Sequence, residues 1–268
     1  MVYVVLGQSN TNNAQWQWPH FIEEELGNWI STRVCFRSLT FLIYINDIYL
    51  CSNKLGFYLF ADDTSLLYAN NDLKTLETVV NNELNDVFHW LNANKLTINA
   101  KKSNFVIFRP AQKRINHQPC IGIPDSNTNN NGFALLECKD YVKFLGVLID
   151  KNLTWRPHID YIASKISKIV GIIARLRHHV HLNTLLQIYC SLIFPYTLYG
   201  VPVWGQVSQC DFKKILTLQK RALRLIFFSS KKSHAIPLFV ASSILPINML
   251  YFETVSTTMH DASTRSTP

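Results

Sequence analysis

The sequence predicts an α+β fold, with an antiparallel sheet and packed helices followed by a mainly helical region. Two short apolar runs, residues 55–60 and 64–68, flank a pair of carboxylates and predict a buried hairpin. Apolar residues then recur at helical spacing over 73–91 and again over 159–176. The chain has 268 residues, of which 48% are hydrophobic and 12% aromatic, which is enough for a packed core.

The remaining elements follow from local patterns of the same kind. Apolar positions at helical spacing over 39–50 predict a buried helix beneath the sheet. Asn71 or Asp72 is expected to cap the helix of residues 73–91, because Asn and Asp side chains accept hydrogen bonds from the first backbone amides of a helix. Strands are predicted at residues 96–98, 104–108 and 141–150.

Charge is distributed unevenly along the chain. The net charge is +8, yet residues 1–100 carry 5 basic and 10 acidic residues, whereas residues 101–232 carry 20 basic and 6 acidic ones. A basic region of this size predicts a polyanionic partner, because each neutralised phosphate releases condensed counterions. A solvated basic surface without a partner is the alternative.

Much of this positive charge lies on two predicted helices, 159–176 and 211–228, on the sides away from their apolar faces. The pattern suits a clamp on a duplex backbone, and it also suits a soluble helical bundle without a nucleic-acid partner. The basic residues concerned are Lys165, Lys168, Arg175 and Arg177 on the first helix and Lys213, Lys214, Lys220, Arg221 and Arg224 on the second.

Hydropathy and cysteine usage limit the location of the protein. No apolar stretch reaches the roughly 18 to 20 residues that span a bilayer, so neither a transmembrane segment nor a membrane partner is expected. The apolar start, residues 1–6, is too short for a signal peptide core. The six cysteines are scattered without metal-ligand spacing, which favours reduced thiols and an intracellular protein.

Asp62 and Asp63 lie at the turn between the two apolar runs and have two interpretations. Aspartates are common turn residues, because their side chains accept hydrogen bonds from nearby amides. Adjacent carboxylates at the end of a buried hairpin also repel each other unless a cation lies between them. Magnesium is the natural cation for such oxygens.

Several segments in order resemble the reverse transcriptase of non-LTR, jockey-type retrotransposons, over roughly residues 39–230. The Phe-Ala-Asp-Asp at 60–63 is similar to the catalytic motif of that family. The stretch from Trp90 to Ser103 is similar to the helix end and lysine-bearing loop that follow it. Further similarities are Phe41–Asp47, Phe144–Gly146, Leu153–Trp155, Tyr196–Gly205 and Leu218–Arg224.

The resemblance implies a partial right-hand polymerase palm followed by a helical thumb. It implies catalytic and metal-binding roles for Asp62 and Asp63, with Lys102 near the incoming nucleotide. The implied cofactor is Mg²⁺ or Mn²⁺, and the implied partners are an RNA template, a DNA primer and deoxynucleoside triphosphates. Nuclear access is implied as well. The residues expected to bind the primer and the nucleic-acid backbone are Phe144, Leu145, Gly146, Lys165, Lys168, Arg175, Lys220, Arg221 and Arg224.

Two departures from the family pattern bear on activity. The family needs a further aspartate from an earlier palm strand, and residues 1–34 contain no Asp. The template-contacting Gly-Val-Pro-Gln-Gly-Ser loop is replaced by Trp29–Val34. The metal is therefore expected to bind weakly, if it binds, and polymerase activity to be severely reduced unless a second chain supplies the missing palm and fingers. A catalytically dead nucleic-acid-binding remnant and a decayed, non-functional translation are the alternatives.

The predicted organisation has five parts. They are an unrelated or poorly ordered lead over 1–34, the partial palm over 35–115, a linker loop over 116–135, the primer-grip hairpin and thumb over 136–232, and a tail over 233–268.

Overall fold

The computed structural model describes the backbone of Val2–Leu6 and residues 40–61, 63–113, 117–124 and 132–265. The chain divides into two compact units between Val142 and Lys143. The predictions for residues 7–34, for Asp62 and for residues 116 and 125–131 of the linker loop lie outside the described residues.

The described residues of the first unit form a five-stranded sheet, a separate two-stranded sheet and two helices. Helix α1 spans Thr40–Cys51 and ends in a 3-10 turn over Ile48–Cys51. The other helix, α2, runs from Leu73 to Ala93, and the Asp72 carboxylate caps it by accepting from the Thr75 amide at 2.8 Å. The strands are β1 (Val2–Leu6), β2 (Gly56–Phe60), β3 (Asp63–Tyr68), β4 (Asn104–Ile107), β5 (Gly122–Pro124), β6 (Phe133–Leu135) and β7 (Glu137–Cys138).

Five of these strands form one sheet in the order β2-β3-β1-β4-β7. Strand β1 is central: Leu6 pairs antiparallel with Thr64 of β3, and Val5 pairs with Asn104 of β4. In chain order the described elements β1, α1, β2, β3, α2 and β4 follow the split β-α-β-β-α-β order. Strands β5 and β6 form a separate antiparallel pair.

The core of the first unit lies between α2 and the sheet. Leu76, Val80, Leu84, Val87 and Leu91 share one face of α2 and are buried, as the helical spacing predicts. The residues that complete this core from the strands, the loops and α1 include Ile45, Ile48, Leu66, Phe105, Ile107, Ile121 and Ile123.

The second unit begins in a hairpin and continues as helices. Strands β8 (Tyr141–Phe144) and β9 (Val147–Asp150) form the hairpin. The helices are α3 (Arg156–Leu176), α4 (Leu182–Ile188), α5 (Phe194–Leu198), α6 (Val201–Trp204), α7 (Gln209–Ile226), α8 (Ile236–Ser242) and α9 (Ile247–Arg265), with a π-helical turn over Tyr189–Ile193 between α4 and α5.

Helices α3 and α7 pack side by side and run parallel. Asp211 at the start of α7 lies 3.6 Å from Arg156 at the start of α3, and Arg177 at the end of α3 covers the ring of Phe228 beyond the end of α7. Their shared apolar faces form the second core, with Trp204 and Tyr189 fully buried in it.

The loop that leads into α3 is held by a buried carboxylate. Asp150 accepts hydrogen bonds from the backbone amides of Asn152, Thr154 and Trp155 and from the Thr154 hydroxyl. Trp155 then starts the helix with a left-handed backbone, at a φ of 61°. Asp150 therefore shapes the loop.

Three sequence expectations need correction. Residues 96–98 form no strand beyond a single bridge at Ile98, because the Leu96 amide still bonds to the Leu91 carbonyl at the end of α2. The single strand that the local pattern predicts over 141–150 is a hairpin, as the family resemblance implies, because two residues with positive φ turn the chain at its middle. Helix α1 is buried on one face only, since Ile45 and Ile48 enter the core while residues 42–44 are exposed.

The predicted lead and tail both contain regular structure within the described residues. Val2–Leu6 of the lead form the central strand β1. Much of the tail is helical, and Phe239, Ile244 and Ile247 contribute to the second core. The unit boundary at 142/143 lies after the predicted boundary at 136, because Glu137–Cys138 pairs with β4 of the first sheet.

No single described helix is long and apolar enough to cross a membrane, although α8 and α9, bent by 52°, meet the length and composition criteria together.

Candidate active site and nucleic-acid surface

The hairpin formed by β2 and β3 carries the predicted catalytic carboxylates. Phe60 pairs with Asp63, so the connection consists of two residues, Ala61 and Asp62. Ala61 has a φ of 51°, a left-handed conformation that two-residue hairpins favour but that strains a residue with a Cβ. Asp63, the first residue of β3, is exposed. Asp62 lies outside the described residues.

A buried carboxylate on α2 holds the segment that leads into β2. Glu83 accepts a hydrogen bond of 2.5 Å from the Ser52 hydroxyl and lies 2.9 Å from Nζ of Lys54. The Ser52 hydroxyl oxygen in turn accepts from the amides of Lys54 and Leu55. The Ser52 hydrogen bond, followed by Lys54, keeps the pKa of Glu83 below its usual value despite burial. This network fixes where β2 begins.

Lys102 lies in a tight turn just before β4. Its amide donates to the carbonyl and side-chain oxygens of Asn99, and the Ser103 hydroxyl donates to the same carbonyl at 2.9 Å. The turn leaves the Lys102 side chain exposed. The sequence therefore fixes the backbone at this position through Asn99 and Ser103.

The sheet register brings Asp63 and the Lys102 turn to the same end of the sheet. Asn104, the first residue of β4, pairs with Val5 of β1, and Val5 pairs with Ser65 of β3. Strands β3 and β4 therefore start at one edge with β1 between them, roughly 10 Å apart at the usual strand spacing. A carboxylate and an ammonium group at one sheet edge suit a site for a nucleoside triphosphate and a cation.

Within the described residues, no group of three or more His, Cys, Asp or Glu side chains is arranged to hold a metal ion. The donors available at the hairpin are Asp63, which forms no ion pair with the described residues, and the neighbouring Asp62, which lies outside them. Carboxylate oxygens of this kind fit a hard divalent cation such as Mg²⁺.

The turn between β8 and β9 contains the residues expected to contact the primer. Leu145 and Gly146 both have positive φ, 45° and 89°, as a two-residue hairpin turn requires. Phe144, Leu145 and Gly146 are half-buried. The hydroxyl of Tyr199 donates to the Leu145 carbonyl.

The predicted backbone-binding residues are distributed over the parallel helices α3 and α7. Lys168, Arg175 and Arg221 are exposed, and Lys220 is half-buried. Nζ of Lys165 lies 5.4 Å from the centre of the Tyr161 ring. Arg224 donates two hydrogen bonds to the Ser233 carbonyl and so also holds the loop after α7.

Another lysine of this surface, on α7, has a different role. Lys214 lies 2.8 Å from Asp160 and 3.3 Å from Asp211, so its charge is used to join α3 to α7. Its pKa is raised by these two carboxylates, the Asp160 hydrogen bond first. Sequence patterns group Lys214 with the other basic residues, and only the packing of the two helices separates it from them.

Sequence reasoning assigned no role to three residues around the β8–β9 hairpin, namely Tyr199, Trp204 and His158. Trp204 is fully buried and donates from Nε1 to the Tyr199 carbonyl at 2.8 Å. His158 is buried, and its Nδ1 accepts from the Leu148 amide at 3.2 Å. The available sequence signal was the Tyr196–Gly205 segment, in which two tyrosines, two glycines and a tryptophan occur within ten residues.

Three curated relatives show sequence similarity to this chain. The probable RNA-directed DNA polymerase from transposon BS of Drosophila melanogaster is 26% identical over 174 residues, 62% of this chain. The Pol polyprotein of retrotransposable element R1 of Bradysia coprophila is 24% identical over 193 residues, 70% of the chain. The RNA-directed DNA polymerase from mobile element jockey of Drosophila funebris is 28% identical over 171 residues, 62% of the chain.

The predicted resemblance to non-LTR retrotransposon reverse transcriptases is confirmed. The chain spans only 17% to 18% of the length of these reverse transcriptases. No family model matches the sequence, and no solved structure matches it. The mixed helix and sheet content agrees with an α+β fragment of such a polymerase.

Proposed function

We propose that this chain is the palm and thumb segment of a non-LTR retrotransposon reverse transcriptase, and that by itself it binds an RNA–DNA hybrid with little or no polymerisation. The observation that carries the proposal is the sheet register, which puts the Asp-Asp hairpin and the Lys102 turn at one edge. The sequence similarity to RNA-directed DNA polymerases supports the same assignment.

In this proposal Asp62 and Asp63 hold Mg²⁺ or Mn²⁺ at the strained β2–β3 turn. When bound, the metal lowers the pKa of the primer 3′-hydroxyl and neutralises charge on the transferred phosphate. Lys102 lies at the same sheet edge and binds the triphosphate of the incoming deoxynucleotide. Phe144, Leu145 and Gly146 contact the primer end.

The strand beside β3 is the reason for proposing weak activity. In the family, the metals need a further aspartate from a palm strand that precedes the hairpin. Here the strand that pairs with β3 on the side away from β2 is Val2–Leu6, whose sequence Val-Tyr-Val-Val-Leu contains no acidic residue. Two carboxylates alone hold a divalent cation less firmly than three, so weak metal binding is expected unless a further carboxylate completes the site.

The exposed basic residues of α3 and α7 carry the binding half of the proposal. Lys168, Arg175 and Arg221 are exposed, and none of them forms an ion pair with the described residues. Charges of this kind bind phosphates with a strong dependence on salt and little dependence on sequence.

Binding is tested by fluorescence anisotropy of a labelled RNA–DNA hybrid over a series of salt concentrations. Replacing Lys168, Arg175 and Arg221 by Gln is expected to reduce the slope of log K against log salt by about 1 for each lost phosphate contact. Lys214→Gln is the matched control, because its charge already pairs with Asp160 and Asp211. A flat salt response, or an equal loss in the control with its fold retained, would refute the binding proposal.

Catalysis is tested by primer extension on an RNA template with Mg²⁺, comparing the wild type with Asp62→Ala and Asp63→Ala. Little or no extension by folded, hybrid-binding wild type is the expected result. Strong extension that both substitutions abolish would contradict the proposed weak activity and would mean that another group supplies the third ligand.

A further inference from the structure

The β8–β9 turn is fixed to the helical part of the second unit at its tip. The Tyr199 hydroxyl donates to the carbonyl of Leu145, 54 residues earlier in the chain. A Cβ placed on Gly146 would lie 3.4 Å from Cε1 of the Tyr199 ring. The ring therefore covers one turn residue while its hydroxyl holds the other.

Gly200 and Trp204, which follow Tyr199 in the chain, help to hold this contact. Trp204, fully buried, donates to the Tyr199 carbonyl, and Gly200 takes a φ of 65°. A Cβ on Gly200 would lie 3.2 Å from Cγ2 of Val147, the first residue of β9. The segment from Tyr199 to Trp204 thus packs closely against the hairpin.

A third contact holds the returning strand. The Leu148 amide donates to Nδ1 of His158, and the His158 ring lies edge-on to Trp204 at 5.5 Å between ring centres. The hairpin is therefore fixed at its tip by Tyr199 and along β9 by His158, and Trp204 contacts both of these residues. Tyr199 is 56% exposed, and Leu145 and Gly146 are half-buried, so part of the anchored tip faces solvent.

We propose that Tyr199 is a positioning residue that fixes the Leu145–Gly146 turn for recognition of a recessed primer 3′ end, an inference that rests on the proposed function. A two-residue turn with both φ angles positive can shift as a unit, and one hydrogen bond from a rigid, tryptophan-supported segment fixes its position. Without the hydroxyl the hairpin remains, but the turn samples several positions. General backbone binding by the basic helices is unaffected by this change.

The test uses the full chain with Tyr199→Phe, which removes only the hydroxyl. Tyr251→Phe is the matched control in the same unit, because the Tyr251 ring also packs on aromatic neighbours while its hydroxyl has no hydrogen-bond partner among the described residues. The first readout is amide hydrogen exchange of residues 143–150. The second is the ratio of affinities for a hybrid with a recessed primer 3′ end and for a blunt hybrid of the same length.

Tyr199→Phe is expected to accelerate exchange in residues 143–150 by about fivefold and to lower the preference for the recessed end by a similar factor. Affinity for the blunt hybrid and the salt slope are expected to stay at the wild-type values. The control variant is expected to match the wild type in every readout. Gly146→Ala, which puts a side chain on a residue with a φ of 89°, is expected to lower the same preference with the hydroxyl still present.

The opposing outcomes separate the two proposals. Normal hybrid binding with an unchanged recessed-end preference, or unchanged exchange, would refute the positioning role alone. A wild-type protein that binds neither hybrid would refute the proposed function and the positioning role with it.

Discussion

Acidification from pH 7 to pH 4 is expected to weaken the second unit through one buried side chain, His158. The residue is 2% exposed, and burial lowers its pKa to about 4, against 6.5 for an unperturbed histidine. As pH falls below 6.5, the unfolded chain binds a proton that the folded chain does not bind. Stability is therefore lost progressively between pH 6.5 and pH 4.

The size of this effect follows from the two pKa values. A difference of about 2.5 pH units at 1.36 kcal/mol each gives an upper limit of roughly 3 kcal/mol of unfolding free energy. The buried carboxylate of Asp211 in the same unit acts at lower pH. The Ser208 hydrogen bond, followed by Lys214 and Arg156, keeps the pKa of Asp211 below its ordinary 3.8, so its contribution is lost only under more acidic conditions.

His158→Asn is the informative variant, because the Asn oxygen can accept from the Leu148 amide but does not titrate. We expect the variant to be less stable at pH 7, by about 1 to 2 kcal/mol for the lost ring volume, and to lose the slope between pH 6.5 and 4. Urea unfolding followed by far-ultraviolet circular dichroism at stepped pH measures both. The exposed His179, changed to Asn, serves as control and should keep the slope. An unchanged slope in His158→Asn would refute the assignment.

Three further substitutions test the packing around the site. Ala61→Val is expected to destabilise the first unit by about 1 to 2 kcal/mol, because a β-branched side chain disfavours the φ of 51° at this position. Ala61→Gly should change stability little, and thermal melting compares the two variants. Glu83→Gln should lower the unfolding free energy by about 1 to 2 kcal/mol at neutral pH. This advantage of the wild type disappears as pH falls through the lowered pKa of Glu83. Urea unfolding at pH 7 and pH 3.5 measures the difference, and Glu137→Gln, at an exposed position, is the control. Gln219→Leu should lower the unfolding free energy by about 2 to 4 kcal/mol in chemical unfolding, because the buried Gln219 accepts from the Ile247 amide and donates to the Tyr189 hydroxyl. A loss below 1 kcal/mol would contradict this bridging role.

Local sequence patterns predicted the elements whose stability is local. Helices α2 and α3 form where apolar residues recur every three to four positions, and Asp72 caps α2 through an amide three residues away. The carboxylates of the Phe-Ala-Asp-Asp turn and the lysine of the Asn99–Ser103 loop could likewise be found in the sequence, because hairpin and turn chemistry depends on adjacent residues.

Long-range pairings could not be predicted in this way. Nothing in residues 2–6 specifies that they pair with β3 and β4, since a short apolar strand fits many partners and its register is chosen by the sheet. The same holds for the helices after residue 233, whose burial depends on the apolar faces that α3 and α7 leave uncovered.

The sequence alone determined the family resemblance, the helices with strong periodicity and the identity of the charged side chains. The tertiary structure decided which charges are used internally: Lys214 pairs with carboxylates on two helices, Arg224 holds a loop, and Lys168 stays exposed. It also decided that Tyr199 contacts a turn 54 residues away. The physical reason is that periodicity and capping act within one helical turn, whereas ion pairs and anchoring contacts depend on which elements become neighbours when the apolar surface is buried.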